Sequence, residues 1–193
     1  MQQELGGWEA FLGMEETEEN YGVFVLIDLT SKSFDDQLGL LTFAFELKEE
    51  LGQPVSVIVA GNSQNDHIER LKKFPVSEIH VKKISNQREL IDFLKSFIEE
   101  KKPLVLVGDL DTGARDAFPY IAQTRNEGYI GGGESLSISP DDRKVIVKRK
   151  IYGGLLVETV KILKDGVQFV TLKSSEREAP QESEPQDVEV KEW

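Results

Sequence analysis

The densest set of turn and charged residues is Gly108 to Tyr120, GDLDTGARDAFPY, directly after the apolar run Leu104–Val107. A short buried strand that ends in a glycine turn and feeds an amphipathic helix is where open α/β sheets build their sites. Backbone N–H groups at such a helix start favour anions, so Gly108, Thr112, Gly113 and Arg115 form a candidate, vestigial nucleotide-binding set. Asp109 and Asp111 argue against it. Two carboxylates where a phosphate would approach oppose binding by more than the about 1 kcal/mol that one helix end provides. A bound Mg²⁺ would reverse that logic, but no other acids can be assigned to such a site from the sequence. The first reading is therefore a structural turn and helix cap. In that reading Arg115 satisfies carbonyls of the Gly128–Gly133 loop, and Asp116 sits favourably near the positive helix end. In the functional reading Arg115 addresses a nucleotide or an interface carboxylate.

Other chemistry is sparse. His67 and His80 are the only histidines, and neither has neighbours that read as a triad or a metal set, so both are expected on the surface. The absence of cysteine excludes disulfides, thiolate metal sites and Cys nucleophiles. Gly131-Gly132-Gly133 lacks the Lys-Ser/Thr of a Walker A loop, and no GxGxxG follows the first strand. The triplet is expected to turn the chain sharply from an α/β half into a β half. Tyr152-Gly153-Gly154 is expected as a bulge or a close backbone approach within antiparallel strands.

These residues need a scaffold, and the hydrophobic pattern supplies one. Gly22–Leu29, Val55–Ala60, Glu78–Val81 and Leu104–Val107 read as short buried strands. Between them, helices run from a cap at Ser33 to Gly52, from Asn62 or Ser63 through Leu71, and from Asn86 to about Glu100. A fourth spans Asp111 to about Thr124. Four strand–helix units imply a parallel sheet with right-handed crossovers. Ser135–Ser139, Lys144–Ile151, Leu155–Leu163 and Val167–Leu172 then follow with short turns, as an antiparallel extension or as one that returns a strand to the main sheet.

The formal net charge of −12 is concentrated at the ends. Residues 1–20 hold six Glu and no Lys or Arg, and residues 174–193 hold seven acids against Arg177 and Lys191. The intervening 21–173 are nearly neutral, with no basic block to meet a phosphate backbone, which argues against nucleic-acid binding. The first segment is expected to be flexible apart from a one-face stripe of Trp8, Phe11 and Leu12. The last is expected to be a disordered acidic tail, because it carries too little apolar surface to fold alone. No apolar run approaches the roughly 20 residues that span a bilayer, and no leader pattern opens the chain, so a cytoplasmic, non-membrane protein is expected.

Taken in order, Gly108–Asp116, Tyr152-Gly153-Gly154 and Gln168–Thr171 resemble the N-terminal domain of the electron-transfer flavoprotein alpha subunit. The likeness spans roughly residues 22–171. It departs at Ala114-Arg115-Asp116, where the family motif has Gly-Arg-Asp, and after Thr171, where Leu172-Lys173-Ser174-Ser175 replaces an Arg-Pro-Gly type step into a FAD domain. The resemblance implies an α/β fold of the adenine-nucleotide-hydrolase-like (HUP) type that pairs with a beta-like subunit as a platform. It also implies that FAD is held mostly by the domain lacking here, so that this chain binds no cofactor alone and meets FAD only in a complex, with a separate flavin domain as a further partner. The leading expectation is a noncatalytic alpha-type platform subunit. The alternative is a stand-alone adenine-nucleotide-binding or sensing module. An adenylating enzyme is disfavoured, because Asp28-Leu29-Thr30-Ser31 stands where a pyrophosphatase-type Ser-Gly-Gly loop would follow the first strand.

Overall fold

A computed structural model describes residues 21–193; the acidic first segment and its Trp8, Phe11 and Leu12 lie outside the described residues. Strand β1 (Val23–Asp28) is followed by α1 (Gly39–Leu51), β2 (Val55–Ala60), α2 (Asn65–Leu71), β3 (Glu78–Lys82), α3 (Gln87–Lys101), β4 (Val105–Asp109) and α4 (Ala114–Arg125). Then come β5 (Gly128–Gly133), β6 (Ser135–Ile138), β7 (Val145–Ile151), β8 (Leu156–Lys161), β9 (Gln168–Leu172) and β10 (Glu189–Glu192). Seven strands form one parallel sheet in the order β10-β3-β2-β1-β4-β9-β5, and β6-β7-β8 form a small antiparallel sheet. This is the expected α/β architecture.

The sheet exists because its central strands are apolar on both faces. Val23, Val25 and Ile27 point into a core shared with α1 and α2, while Phe24 and Leu26 point into a second core with α3 and α4. Local signals set the helix ends. Asn86 Oδ1 accepts from Glu89 N at 3.0 Å and Glu89 Oε2 accepts from Ser85 N at 2.7 Å, which fixes the start of α3. Gly52, at φ 65°, closes α1 in the left-handed region. Ser33 does not cap α1; its Oγ accepts from Asp36 N at 3.3 Å in the short 3₁₀ turn that precedes the helix, a turn whose N-cap position is Phe34.

Helix α3 carries the chain from β3 past β2 and β1 to β4. The strand order therefore reverses between β1 and β4, and the region beyond their C-terminal ends is where open α/β sheets place their ligands.

The second half resolves the open alternative, since β9 returns to the main sheet, parallel and between β4 and β5. The side chain of Gln168 joins the two sheets: Oε1 accepts from Val145 N at 2.7 Å and Nε2 donates to the Arg143 carbonyl at 3.1 Å. The triglycine is not a sharp turn. It is the end of strand β5, with a bulge at Gly132, φ 75°. Glycine is needed because a Cβ on Gly133 would lie 2.6 Å from Leu172 Cδ2, so apolar periodicity had nothing to report there. Tyr152-Gly153-Gly154 is likewise the turn of the β7–β8 hairpin rather than a bulge, with φ of 51°, 66° and 91°.

The tail is the largest correction. Residues 174–193 are ordered as a strap across the α1–α2 face. Arg177 pairs with Glu46 at 3.1 Å and lies over the Phe43 ring. Ser183 N and Gln186 N donate to the carbonyls of Lys73 and Lys72 at the end of α2. Strand β10 then pairs with β3, and Trp193 packs on Phe93 and Phe97 of α3. The tail's own apolar surface is too small to fold it alone. The tail instead borrows unpaired helix carbonyls and an open sheet edge from the domain.

Candidate functional site

The candidate site lies at the ends of β1 and β4, and each strand ends in a fully buried aspartate, Asp28 and Asp109. Burying a carboxylate is costly unless its oxygens are paired. Asp28 is satisfied by four donors. Its Oδ1 accepts from Thr30 N at 2.9 Å and Thr30 Oγ1 at 2.6 Å, and its Oδ2 from Ser31 Oγ at 3.1 Å and Gly113 N at 2.9 Å. Its backbone is held as well, by the buried amide of Gln37, which accepts from Asp28 N at 2.9 Å and donates to Asp28 O at 3.0 Å. Asp109 is satisfied by charge. Lys32 Nζ sits 2.8 Å from its Oδ2, and Asp111 N donates to its Oδ1 at 2.8 Å. Lys32 Nζ also donates to Ser174 Oγ at 2.9 Å, which ties the site to the start of the strap.

The four candidate residues separate in this geometry. Gly108 is a packing glycine, since a Cβ there would lie 2.6 Å from Ala114 Cβ and 2.9 Å from the Phe118 ring. Gly113 is both a packing glycine and the amide taken by Asp28; its carbonyl accepts from Gln87 Nε2 at 2.8 Å. Thr112 is buried, and its Oγ1 donates to the Asp109 carbonyl at 2.9 Å, closing the turn. Arg115 is not brought to the site. Its side chain is 63% exposed beside Asp116, and the carbonyl of Gly131 accepts instead from Arg149 Nη1 at 2.7 Å. Helix α4 starts at Ala114, so Asp111 belongs to the turn and is exposed.

The arrangement has the position of a phosphate site with the phosphate's place filled. The amide at the start of α4 faces the Asp28 carboxylate, and the Lys32 ammonium is paired with Asp109. Ser31 and Thr30 donate their hydroxyls to the Asp28 carboxylate and, with the Gly113 amide, saturate both its oxygens. Among the described residues no group of three or more His, Cys, Asp or Glu could hold a metal ion, and no helix is long and apolar enough to cross a membrane.

The histidines lie elsewhere. His67 stacks on Phe34 with ring centroids 4.7 Å apart. His80, expected on the surface, is fully buried, because β10 adds outside β3 and Trp193 covers the imidazole.

A family model described as the electron transfer flavoprotein domain matches residues 35–193. The chain belongs to that family. No curated protein matches it. Within this electron transfer flavoprotein domain the match takes in the Gly108–Asp116 turn and helix, the hairpin, β9 and the strap, whereas Asp28 and Lys32 stand before it. Sequence reasoning missed Asp28, Lys32, Gln37 and Ser174. A usable signal was present: an aspartate closes each of two apolar strand runs that end side by side, at Asp28 and Asp109, and a buried acid at a strand end demands a partner.

Proposed function

We propose that this electron transfer flavoprotein domain is an alpha-type platform subunit without catalysis of its own, pairing with a beta-like subunit. In this reading FAD enters through the complex, from the partner or from a separate flavin domain. The observation that carries the reading is the exposed apolar tip of the β7–β8 hairpin. Tyr152 is 74%, Leu155 84% and Val157 64% exposed, and Leu156 lies between them. Scattered exposed apolar residues need no explanation, but a contiguous group on a projecting hairpin marks an interaction surface. The self-satisfied strand ends support the same reading, because the Gly113 amide is taken by Asp28 and the Lys32 ammonium by Asp109.

Co-purification of the chain with a beta-like subunit, read by elution volume and by the flavin absorbance bands, is the test. The expected outcome is a flavin-free chain when purified alone and co-elution with the partner. A stoichiometric flavin spectrum in the isolated chain after desalting would refute the reading. Calorimetric titration with AMP and Mg-ATP addresses the alternative of a nucleotide sensor. Micromolar binding would establish that alternative.

A further inference from the structure

His80 is a buried titratable group for which the proposed platform role has no use. Its imidazole lies against Phe24 of β1 at 5.8 Å, Phe97 of α3 at 5.1 Å and Trp193 beyond β10 at 6.0 Å between ring centroids. One hydrogen bond decides its protonation state. Trp193 Nε1 lies 3.0 Å from His80 Nδ1, and an indole N–H can only donate, so Nδ1 must be the bare nitrogen and Nε2 carries the proton. Nε2 is 2.9 Å from Glu78 Oε2 but off the line of a hydrogen bond. A second proton on the ring would go to Nδ1, where it would face the indole N–H head-on.

We propose that His80 and Trp193 form a proton-released clasp: neutral imidazole holds the end of the strap on the sheet, and protonated imidazole expels it, freeing β10 and uncovering the β3 edge. Strand β10 has four residues, three of them charged, and pairs on one side only. Among the described residues, the charged groups that face His80 are Glu78 and Lys82 on its own strand, Lys101 at the end of α3 and Lys191 on β10. Strands β1 and β2 present no ionisable group there, only Phe24 and Ile58. Burial, reinforced by Lys101 and Lys191 and opposed by Glu78, pushes the His80 imidazole below its ordinary value. The clasp is therefore closed at neutral pH and opens on acidification. Once it opens, Lys191 also leaves Glu78, with which it is paired at 2.7 Å, so that Glu78 turns to the imidazolium and holds the open state.

Limited proteolysis of the strap, followed by mass spectrometry, tests the clasp in the full chain. The second readout is Trp193 emission in a Trp8→Phe background. Between about pH 7.5 and about pH 5 we expect strap cleavage to accelerate by about tenfold, as local opening of the strap becomes more populated, with a red shift of Trp193 while far-UV circular dichroism stays native. His80→Gln keeps an acceptor for the indole but cannot be protonated, so its strap should stay protected at both pH values. Trp193→Phe removes the donor, so its strap should be cleaved at one rate at both. Equal acceleration in wild type and His80→Gln, or loss of the whole domain's circular dichroism together with the strap, overturns the clasp.

Discussion

Asp28 and Gly113 lie 85 residues apart in the chain, and the carboxylate of one takes the amide hydrogen of the other at 2.9 Å. That bond spans the point where the strand order of the sheet reverses. It places a fixed negative side chain at the start of α4, where the helix end would otherwise attract a mobile anion.

Replacing Asp28 with Ala should therefore destabilise the fold by about 2 to 4 kcal/mol, since the amide of Gly113 and the hydroxyls of Thr30 and Ser31 lose their shared acceptor. Urea unfolding measures the loss. An Asp28→Asn variant should recover part of it, because the amide oxygen still accepts.

Gly113→Val and Gly108→Ala should each cost about 1 to 3 kcal/mol or more, through overpacking at the strand–helix junction. A Cβ at Gly113 would lie 2.8 Å from Asp28 Oδ2 and 2.9 Å from Leu90 Cδ2. Arg115→Ala, at an exposed position, should stay within about 0.5 kcal/mol of wild type. A large Arg115 effect on stability would contradict the placement of that side chain.

Lys32→Ala should cost about 2 to 3 kcal/mol, because it strands the buried Asp109 carboxylate. Asp109→Ala should cost a similar amount, and the double variant less than the sum, since neither partner is then left unpaired. Asp111→Ala should do little. A fully additive double-mutant cycle would show that the pair does not couple.

Stability should also depend on pH through His80. Its folded-state proton affinity lies below that of the unfolded chain, about pH 6.5. Above that value the imidazole is neutral in both states and contributes no pH dependence. As pH falls through it, the unfolded chain takes up the proton first, so stability declines until the folded-state value is reached. His80→Gln should remove this limb from denaturation midpoints measured between about pH 7.5 and about pH 5.

Much of the scaffold was legible because β1, β2 and β4 are buried on both faces and α3 announces itself with Asn86 and a stripe of Leu90, Phe93, Leu94 and Phe97. What stayed hidden had a shared cause. The glycines of β5 carry no side chain to show a period, and β10, with Glu189, Lys191 and Glu192, looks like solvated tail until the edge of β3 is there to receive it. At the site, the glycine turn was visible but its tenant was not, since Asp28 reaches it only through the pairing of β1 with β4.

Deleting residues 188–193 should accordingly lower stability by about 2 kcal/mol, through loss of the buried Val188, of β10 and of the Trp193 ring, rather than leave it unchanged as the composition of an acidic tail would suggest. Differential scanning calorimetry of the shortened chain checks this. A change below about 0.5 kcal/mol would mean that the strap rides on the domain without holding it.

The position of β9 also dictates an order of assembly. It lies inside the sheet, with β4 on one side and β5 on the other, although both are made before it. A nascent chain that has not yet produced Gln168–Leu172 cannot join β5 to the rest of the sheet. It leaves the edges of β4 and β5 unpaired, with the Phe118 ring of α4 lacking its contact with Phe169. During synthesis those edges therefore stay open across the whole antiparallel insertion until the five-residue strand Gln168–Leu172 slots in, the condition under which unpaired strand edges favour aggregation.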